Sequence, residues 1–163
     1  SDRSYDDTQK ELAVFITPHI IRDTPKDQEL AKAAKKEEVY IGDGKRDKVL
    51  YILGRLPREK LTESAKLQLT EFVESFVNED EPRFVDFFNK AQAINTRLHQ
   101  LELLPGLGKK HMQAVLKARE EKLFDSFEDL KSRVSNLPDP KKAVVKRIIE
   151  ELTEMQRHNV FIR

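Results

Sequence analysis

The sequence contains no cysteine, so it forms neither a disulfide framework nor a thiolate metal site. No apolar run approaches the roughly 20 residues that a membrane-spanning helix requires. No signal peptide is apparent either. These absences lead us to expect a soluble, cytoplasmic protein that has no membrane partner.

An excess of either charge is also missing, because the 30 basic and 29 acidic residues leave a formal net charge of +1. The charges are nevertheless segregated along the chain. Seven acids and two bases lie between Glu63 and Asp86, whereas six bases and one acid lie between Lys131 and Arg147. This segregation favours a basic face that meets phosphates and an acidic face turned away from them. The alternative is that each run is simply the solvated side of its helix.

The residue constellation of an enzyme is absent as well. The four histidines show no paired spacing for a metal, being scattered as His19, His99, His111 and His158. Asp125 and Asp129 are explained as residues at a helix start. Gly42-Asp43-Gly44 is a turn, since the lysine and hydroxyl spacing of a nucleotide-binding loop is missing. We therefore expect no catalytic residue, no metal, no cofactor and no enzymatic activity.

The most informative stretch is Leu-Glu-Leu-Leu-Pro-Gly-Leu-Gly-Lys-Lys-His, residues 101–111. Apolar residues repeat at helical spacing on both sides of it, which predicts two helices joined by a tight loop: Leu98, Leu101 and Leu104 before, and Met112, Val115 and Leu116 after. Pro105 ends the first helix. Gly106 and Gly108 can adopt positive φ and allow close approach of another backbone. Lys109 and Lys110 open the second helix, where free amides favour an anion.

This arrangement predicts a phosphate cradle, and it resembles the helix-hairpin-helix motif of nucleic-acid-binding proteins. That motif grips the sugar–phosphate backbone without reading the base sequence. The candidate binding residues are Gly106, Leu107, Gly108, Lys109, Lys110 and His111. The alternative is a corner between two helices whose glycines serve packing only. His99 and His111 flank the loop, and for both we favour solvent exposure or packing over phosphate contact.

For residues 1–60, which precede the helices, the sequence predicts a small β-element with a divergent N-terminal arm. Leu12–Ile16 and Val49–Leu53 are short apolar runs suited to strands. Lys45, Arg46 and Lys48 follow a turn and form a basic loop, which is a further candidate for nucleic-acid binding. Residues 61–163 predict a helical domain, with a helix-hairpin-helix at 95–119 and a degenerate second copy, without glycines, at 126–152.

Capping signals predict where the helices begin: at Thr62, at Asp80, at Asn95 or Thr96, at Ser126 and at Asp139. Apolar stripes at helical spacing predict the buried faces: Leu69, Phe72, Val73 and Phe76; then Phe84, Phe87, Phe88 and Ala91; then Val145, Ile148, Ile149 and Leu152. The phenylalanines favour a core over base-stacking platforms. Val160–Ile162 is a candidate for a returning strand.

From about Glu37 to the end, the chain resembles an uncharacterised archaeal family of predicted nucleic-acid-binding proteins. Its members join an OB-type barrel to a helix-hairpin-helix unit. The resemblance is carried by residues 39–48, 83–89, 96–112, 124–130 and 138–140. It implies RNA or DNA as the partner, with RNA favoured by the family's association with translation genes, and no established reaction.

Residues 1–36 depart from that family. Residues 11–23, Glu-Leu-Ala-Val-Phe-Ile-Thr-Pro-His-Ile-Ile-Arg-Asp, instead resemble the end of the pore domain of bacterial secretins. The sequence therefore leaves two alternatives for the OB-type element, a complete barrel or a partial one. The sequence as a whole predicts an α+β, mainly helical protein that binds the nucleic-acid backbone, RNA above all. The alternative is a protein-interaction module that uses the acidic helix Glu63–Glu79 or the N-terminal arm to bind a protein partner.

Overall fold

The computed structural model describes residues 58–162. They form five α-helices and a two-stranded antiparallel sheet, so this part of the chain is α+β and mainly helical, as the sequence predicts. The helices are α1 (Glu63–Glu79), α2 (Glu81–Lys90), α3 (Lys109–Glu121), α4 (Phe127–Arg133) and α5 (Pro140–Thr153). The strands are β1 (Ala93–Asn95) and β2 (Leu98–His99), and short 3-10 helices cover Arg58–Lys60 and Gln100–Leu103.

The predicted β-element and its basic residues Lys45, Arg46 and Lys48 lie outside the described residues, apart from Arg58–Lys60. The predicted OB-type barrel lies there too. All described residues belong to one compact unit. Within it, no helix combines the length and the apolar character needed to cross a membrane.

Side-chain caps start three of the helices at the predicted residues. In each case a side-chain oxygen accepts a hydrogen bond from a first-turn backbone amide that has no partner within the helix. Thr62 Oγ1 accepts from Ala65 N at 3.1 Å, Ser126 Oγ from Asp129 N at 3.0 Å, and Asp139 Oδ1 from Lys142 N at 3.1 Å. Asp80 precedes α2 as predicted, but its side chain makes no capping bond. The helix start predicted at Asn95 or Thr96 is wrong, because Asn95 ends β1 and Thr96 lies in the turn to β2.

Helix α1 packs chiefly against α5. Its buried residues are Leu69, Val73 and Val77, which are four residues apart and therefore share one face. The predicted stripe included Phe72, but this side chain is 37% exposed. Phe72 precedes Val73 by one residue, which turns it about 100° away from the buried face. The prediction for Phe72 is therefore wrong.

Phenylalanines form much of the core around α2. Phe84 and Phe88 are buried, and Phe87 is half-buried. Their rings meet neighbours edge to face, the geometry that aromatic pairs prefer, with centroids 5.7 Å apart for Phe84 and Phe76 and 6.3 Å apart for Phe88 and Phe127. The core role favoured by the sequence is confirmed for Phe84 and Phe88.

Two arginines close the ends of helices. The last carbonyls of a helix lack partners within it. Arg119 supplies such partners for α2, because its Nη1 donates to the carbonyl oxygens of Phe88 and Ala91 at 3.0 and 2.9 Å. Arg133 does the same for α3 through the carbonyl of Lys122 at 2.7 Å. The ends of both helices are thereby tied to elements that lie later in the chain.

A buried carboxylate holds the C-terminal segment against α5. Glu151 is completely buried, and it accepts hydrogen bonds from the backbone amides of Val160, Phe161 and Ile162 at 2.8–2.9 Å. Arg147 Nε donates to the same carboxylate at 2.8 Å. The strand predicted at Val160–Ile162 is therefore wrong, since these amides bond to a side chain and not to a neighbouring strand.

We predict that Glu151→Gln lowers the free energy of unfolding by about 3–5 kcal/mol, because the buried Arg147 then loses its closest counter-charge and keeps only Glu150, whose carboxylate lies 4.0 Å away. Urea denaturation followed by circular dichroism measures the change. Glu154→Gln is the matched control: its contact with Arg58, 3.4 Å long, is exposed, so its loss should cost less than about 1 kcal/mol. Equal effects of the two substitutions would contradict the role assigned to Glu151.

Candidate nucleic-acid interface

The predicted tight loop is a closed turn over Leu104–Leu107. The amide of Leu107 donates to the carbonyl of Leu104 at 3.1 Å. Pro105 and Gly106 fill the two central positions, and Gly106 has φ +87°. These features match a type II turn, which favours proline at its second position and requires positive φ at its third. The positive φ predicted for Gly106 is confirmed.

Gly108 plays a different part from the predicted one. It is the N-cap of α3, with φ −96°, an ordinary extended conformation. A Cβ atom at Gly108 would meet nothing within 4 Å. Positive φ is therefore not the reason for glycine here, and that part of the prediction is wrong; the close approach of another backbone at Gly108 stays a prediction.

The element before the turn is not the predicted α-helix. Residues 93–99 form the β1–β2 hairpin, and only Gln100–Leu103 turn as a short 3-10 helix. The three leucines expected on a helix face still point inward, because Leu101 and Leu104 are buried and Leu98 is half-buried. The unit predicted at 95–119 therefore has a 3-10 turn and one α-helix around its loop.

His99 is part of this framework. It is buried, and its Nδ1 accepts a hydrogen bond from the amide of Leu101 at 3.1 Å, while its own amide donates to Glu102 Oε1 at 2.9 Å. Burial, together with the nearby Arg119, lowers the pKa of His99, which favours the neutral ring that this bond needs. His99 therefore serves packing, as the sequence analysis favoured, and is not placed to contact phosphate.

The start of α3 carries the exposed charge of the loop. Lys109 and Lys110 are exposed, and neither forms an ion pair with another described residue. The backbone amides of Lys109, Lys110 and His111 also find no acceptor within residues 58–162, as expected for the first turn of a helix. The start of α3 therefore carries both positive charge and free amide donors.

The amides predicted to hold phosphate are partly engaged. Leu107 is buried and its amide closes the turn, while the amide of Gly108 donates to His111 Nδ1 at 3.3 Å. The free donors at the start of α3 are those of Lys109, Lys110 and His111, where the sequence predicts free amides. His111 is half-buried and acts as a cap of α3 in this structure.

A second turn of the same kind joins α4 to α5. The amide of Leu137 donates to the carbonyl of Val134 at 3.4 Å, and the third residue, Asn136, has φ +58°. Asparagine is one of the few residues other than glycine that adopt this conformation readily. The predicted second copy therefore keeps the helix–turn–helix arrangement without glycine. This role of Asn136 was not predicted, although the Ser135-Asn136 pair between apolar Val134 and Leu137 is a turn signal.

The two turns lie close to each other. A Cβ atom built on Gly106 would lie 3.7 Å from two carbon atoms of Pro138, which follows the second turn. The loops that precede α3 and α5 are thus neighbours. At α5, however, the Asp139 carboxylate already accepts the amide of Lys142. As predicted for the second copy, this start does not offer the same set of free amides as α3.

The described residues contain no group of three or more histidine, aspartate and glutamate side chains that could hold a metal ion.

Comparison with known proteins gives a family and two relatives. The family model described as "Protein of unknown function (DUF655)" matches residues 14–163. The chain is 41% identical over 126 residues to the "Uncharacterized protein MJ0038" of Methanocaldococcus jannaschii, a match that covers 77% of this chain and 57% of that protein.

The second relative is a solved structure, that of Af1531 from Archaeoglobus fulgidus, described as a DUF655 protein. It superposes with a TM-score of 0.65 at 45% sequence identity, covering 77% of this chain and 70% of that one. Both relatives are archaeal, as the resemblance implied.

The family match begins at residue 14, so the prediction that residues 1–36 depart from the family is wrong from that residue on. Most of the secretin-like segment, 11–23, falls within the match.

We predict that Gly106→Ala destabilises the protein by about 1–2 kcal/mol, because alanine disfavours positive φ. A Cβ at this position meets Pro138 only at ordinary contact distance, so the cost arises in the backbone. Gly108→Ala is the comparison and should cost less, about 0.5–1 kcal/mol, because its φ suits any residue and only the preference of the N-cap for glycine over alanine is lost. Thermal unfolding of both variants measures the difference. A loss at Gly108 as large as that at Gly106 would contradict the turn geometry.

Proposed function

The chain belongs to the DUF655 family of proteins of unknown function, and we propose that it binds the sugar–phosphate backbone of nucleic acid without reading the base sequence. RNA is the favoured partner and DNA the other. The proposed contacts are the side chains of Lys109 and Lys110 and the free amides at the start of α3. No residue is assigned a catalytic role.

The observation that carries this proposal is the position of Lys109 and Lys110. The positive end of a helix dipole disfavours cations in the first turn. Helices α1, α2 and α4 follow that preference with an acid in the first turn, whereas α3 has none there and carries two exposed lysines instead. A bound phosphate would offset the repulsion between the two lysines and the positive end of the helix dipole, because both attract its negative charge.

The surrounding geometry supports a contact with the backbone of a nucleic acid. Gly106 is exposed next to the lysines and carries no Cβ, so a sugar–phosphate chain can approach closely. Phosphate contacts position a nucleic acid but carry no base information. Lys45, Arg46 and Lys48 of the predicted OB-type element, outside the described residues, belong to the proposed surface as an extension of it.

A second candidate function is protein binding through α1, and one observation favours it. Leu67 is 66% exposed and Phe72 is 37% exposed, on a helix that also presents Glu71 and Glu74 to solvent. Exposed apolar side chains framed by charge are typical of interaction surfaces when they form a patch. This surface suits a partner protein with basic and apolar groups. If protein binding is the function, the chain should show no detectable binding to oligonucleotides.

We predict that Lys109→Ala/Lys110→Ala weakens binding to RNA and DNA of any sequence, since backbone contacts are shared by all of them. The slope of log affinity against log salt should become shallower by about one unit per lost phosphate contact. Fluorescence anisotropy with labelled oligonucleotides, between about 50 and 200 mM salt, measures both quantities. Circular dichroism should show an unchanged fold, because the lysines are exposed.

The control is Lys60→Ala/Lys117→Ala, which removes the same charge from two exposed lysines that, like Lys109 and Lys110, form no ion pair with another described residue. It should leave the affinity within about twofold of wild type. Wild-type protein that binds no oligonucleotide at low salt would contradict the proposal and favour protein binding through α1. An unchanged affinity in the folded lysine variant would contradict the assignment to α3.

A further inference from the structure

Three hydrogen bonds run in sequence from His99 to the turn that precedes α3. His99 Nδ1 accepts the amide of Leu101 at 3.1 Å, and the carbonyl of Leu101 accepts the amide of Leu104 at 3.2 Å. The carbonyl of Leu104 in turn accepts the amide of Leu107 at 3.1 Å, which closes the turn. All three leucines are buried, and the N-cap of α3 follows directly. The ring of His99 is therefore connected to the candidate interface through consecutive backbone bonds.

Only the neutral ring of His99 can make the first of these bonds. A neutral imidazole that carries its proton on Nε2 accepts at Nδ1, whereas an imidazolium donates from both nitrogens. Protonation would set the N–H of Nδ1 against the N–H of Leu101. Because His99 and Leu101 are both buried, the amide would lose its acceptor away from water, and an unsatisfied buried donor is costly.

The surroundings of His99 also favour the neutral ring. Burial is the main cause that lowers the pKa of His99, and the positive charge of Arg119 on α3 lowers it further. Arg119 is held in place by two carbonyl oxygens at the end of α2, at 2.9 and 3.0 Å. The negative charge of Glu102 raises the pKa, but by less than burial or Arg119 lowers it. The paired strand β1, Ala93–Asn95, carries no charged residue.

A lowered histidine pKa fixes the direction in which pH acts on the fold. As pH falls through 6.5, the ordinary value for histidine, the unfolded chain takes up a proton at His99 before the folded protein does. Stability rises with pH wherever the unfolded state binds more protons. The contribution of His99 is therefore present above this pH and is lost as the solution becomes more acidic. Glu63 and Asp129, whose pKa values are lowered from 4.5 and 3.8, act only at lower pH.

We propose that His99 is an acid-sensitive switch of the candidate interface. Protonation of its ring breaks the bond to Leu101 and releases the 3-10 turn Gln100–Leu103. The closed turn that leads to Lys109 and Lys110 then loses its support. Acid should weaken binding as a result. A histidine that contacts phosphate would have the opposite effect, because its protonation adds a positive charge. The effect on binding rests on the proposed function, whereas the conformational step does not.

The conformational step is measured without a ligand, in the isotope-labelled full chain. NMR spectra recorded between about pH 5 and 7.5 follow the ring of His99 and the amides of Leu101 and Leu107. We expect all three to change with one common midpoint, which lies below 6.5. A ring that stays neutral throughout, or that titrates while both amides remain in place, overturns the switch.

The effect on binding is measured by fluorescence anisotropy with a labelled RNA of about 12 nucleotides at about 0.1 M salt. Wild-type affinity should fall about fivefold or more between about pH 7.5 and 5, the lower end of typical couplings between sites. His99→Asn removes the titrating ring but keeps a side-chain acceptor of the kind favoured at caps. Its affinity should therefore change little with pH. His158→Gln is the matched control, which removes another histidine and should keep the wild-type dependence on pH.

The outcomes separate the switch from the proposed function. Wild-type affinity that stays constant or rises with acid overturns the switch and leaves the proposed function standing. An equal loss in His99→Asn does the same, since the cause then lies in another group. No binding by the wild-type protein at any pH overturns the proposed function, and the ligand-free spectra then decide the switch alone. Those spectra and the sign of the wild-type pH dependence also decide it if His99→Asn does not fold.

Discussion

A closed turn whose third residue has positive φ sets the geometry on which the candidate interface depends. Gly106 at +87° and Asn136 at +58° occupy this position in two separate turns, and each turn leads into a helix. The two turns also lie close together, since a Cβ atom built on Gly106 would lie 3.7 Å from Pro138. The position of the lysines thus follows from backbone conformation before any charge is considered.

Long-range polar contacts hold the rest of the unit around these turns. Arg119 ties the end of α2 to α3, and Arg133 ties the end of α3 to α4. Glu151 and Arg147 hold the C-terminal segment against α5 from within the core. Each of these groups is matched to carbonyls, amides or an opposite charge, which offsets the cost of burying it. The lysines at the starts of α3 and α5 are the contrast, since no ion pair among the described residues engages them.

The sequence predicted local features well and non-local ones poorly. Thr62, Ser126 and Asp139 were found because a cap depends on residues within one helical turn. The helix expected before Pro105 was wrong because leucines three residues apart suit a 3-10 turn, with three residues per turn, as well as an α-helix. The three amides bound by Glu151 lie about ten residues away in an irregular segment, and no periodic pattern marks such a contact. The conformation of Asn136 likewise depends on closure of its turn.

The most direct test of the central claim is a titration of the isotope-labelled protein with an RNA of about 12 nucleotides, followed residue by residue through amide resonances in NMR spectra. The account predicts that the amides of Gly106, Lys109 and Lys110 shift together along one binding curve, while those on the exposed face of α1 stay in place. Shifts concentrated at Leu67 and Phe72, or none at the start of α3, would contradict it.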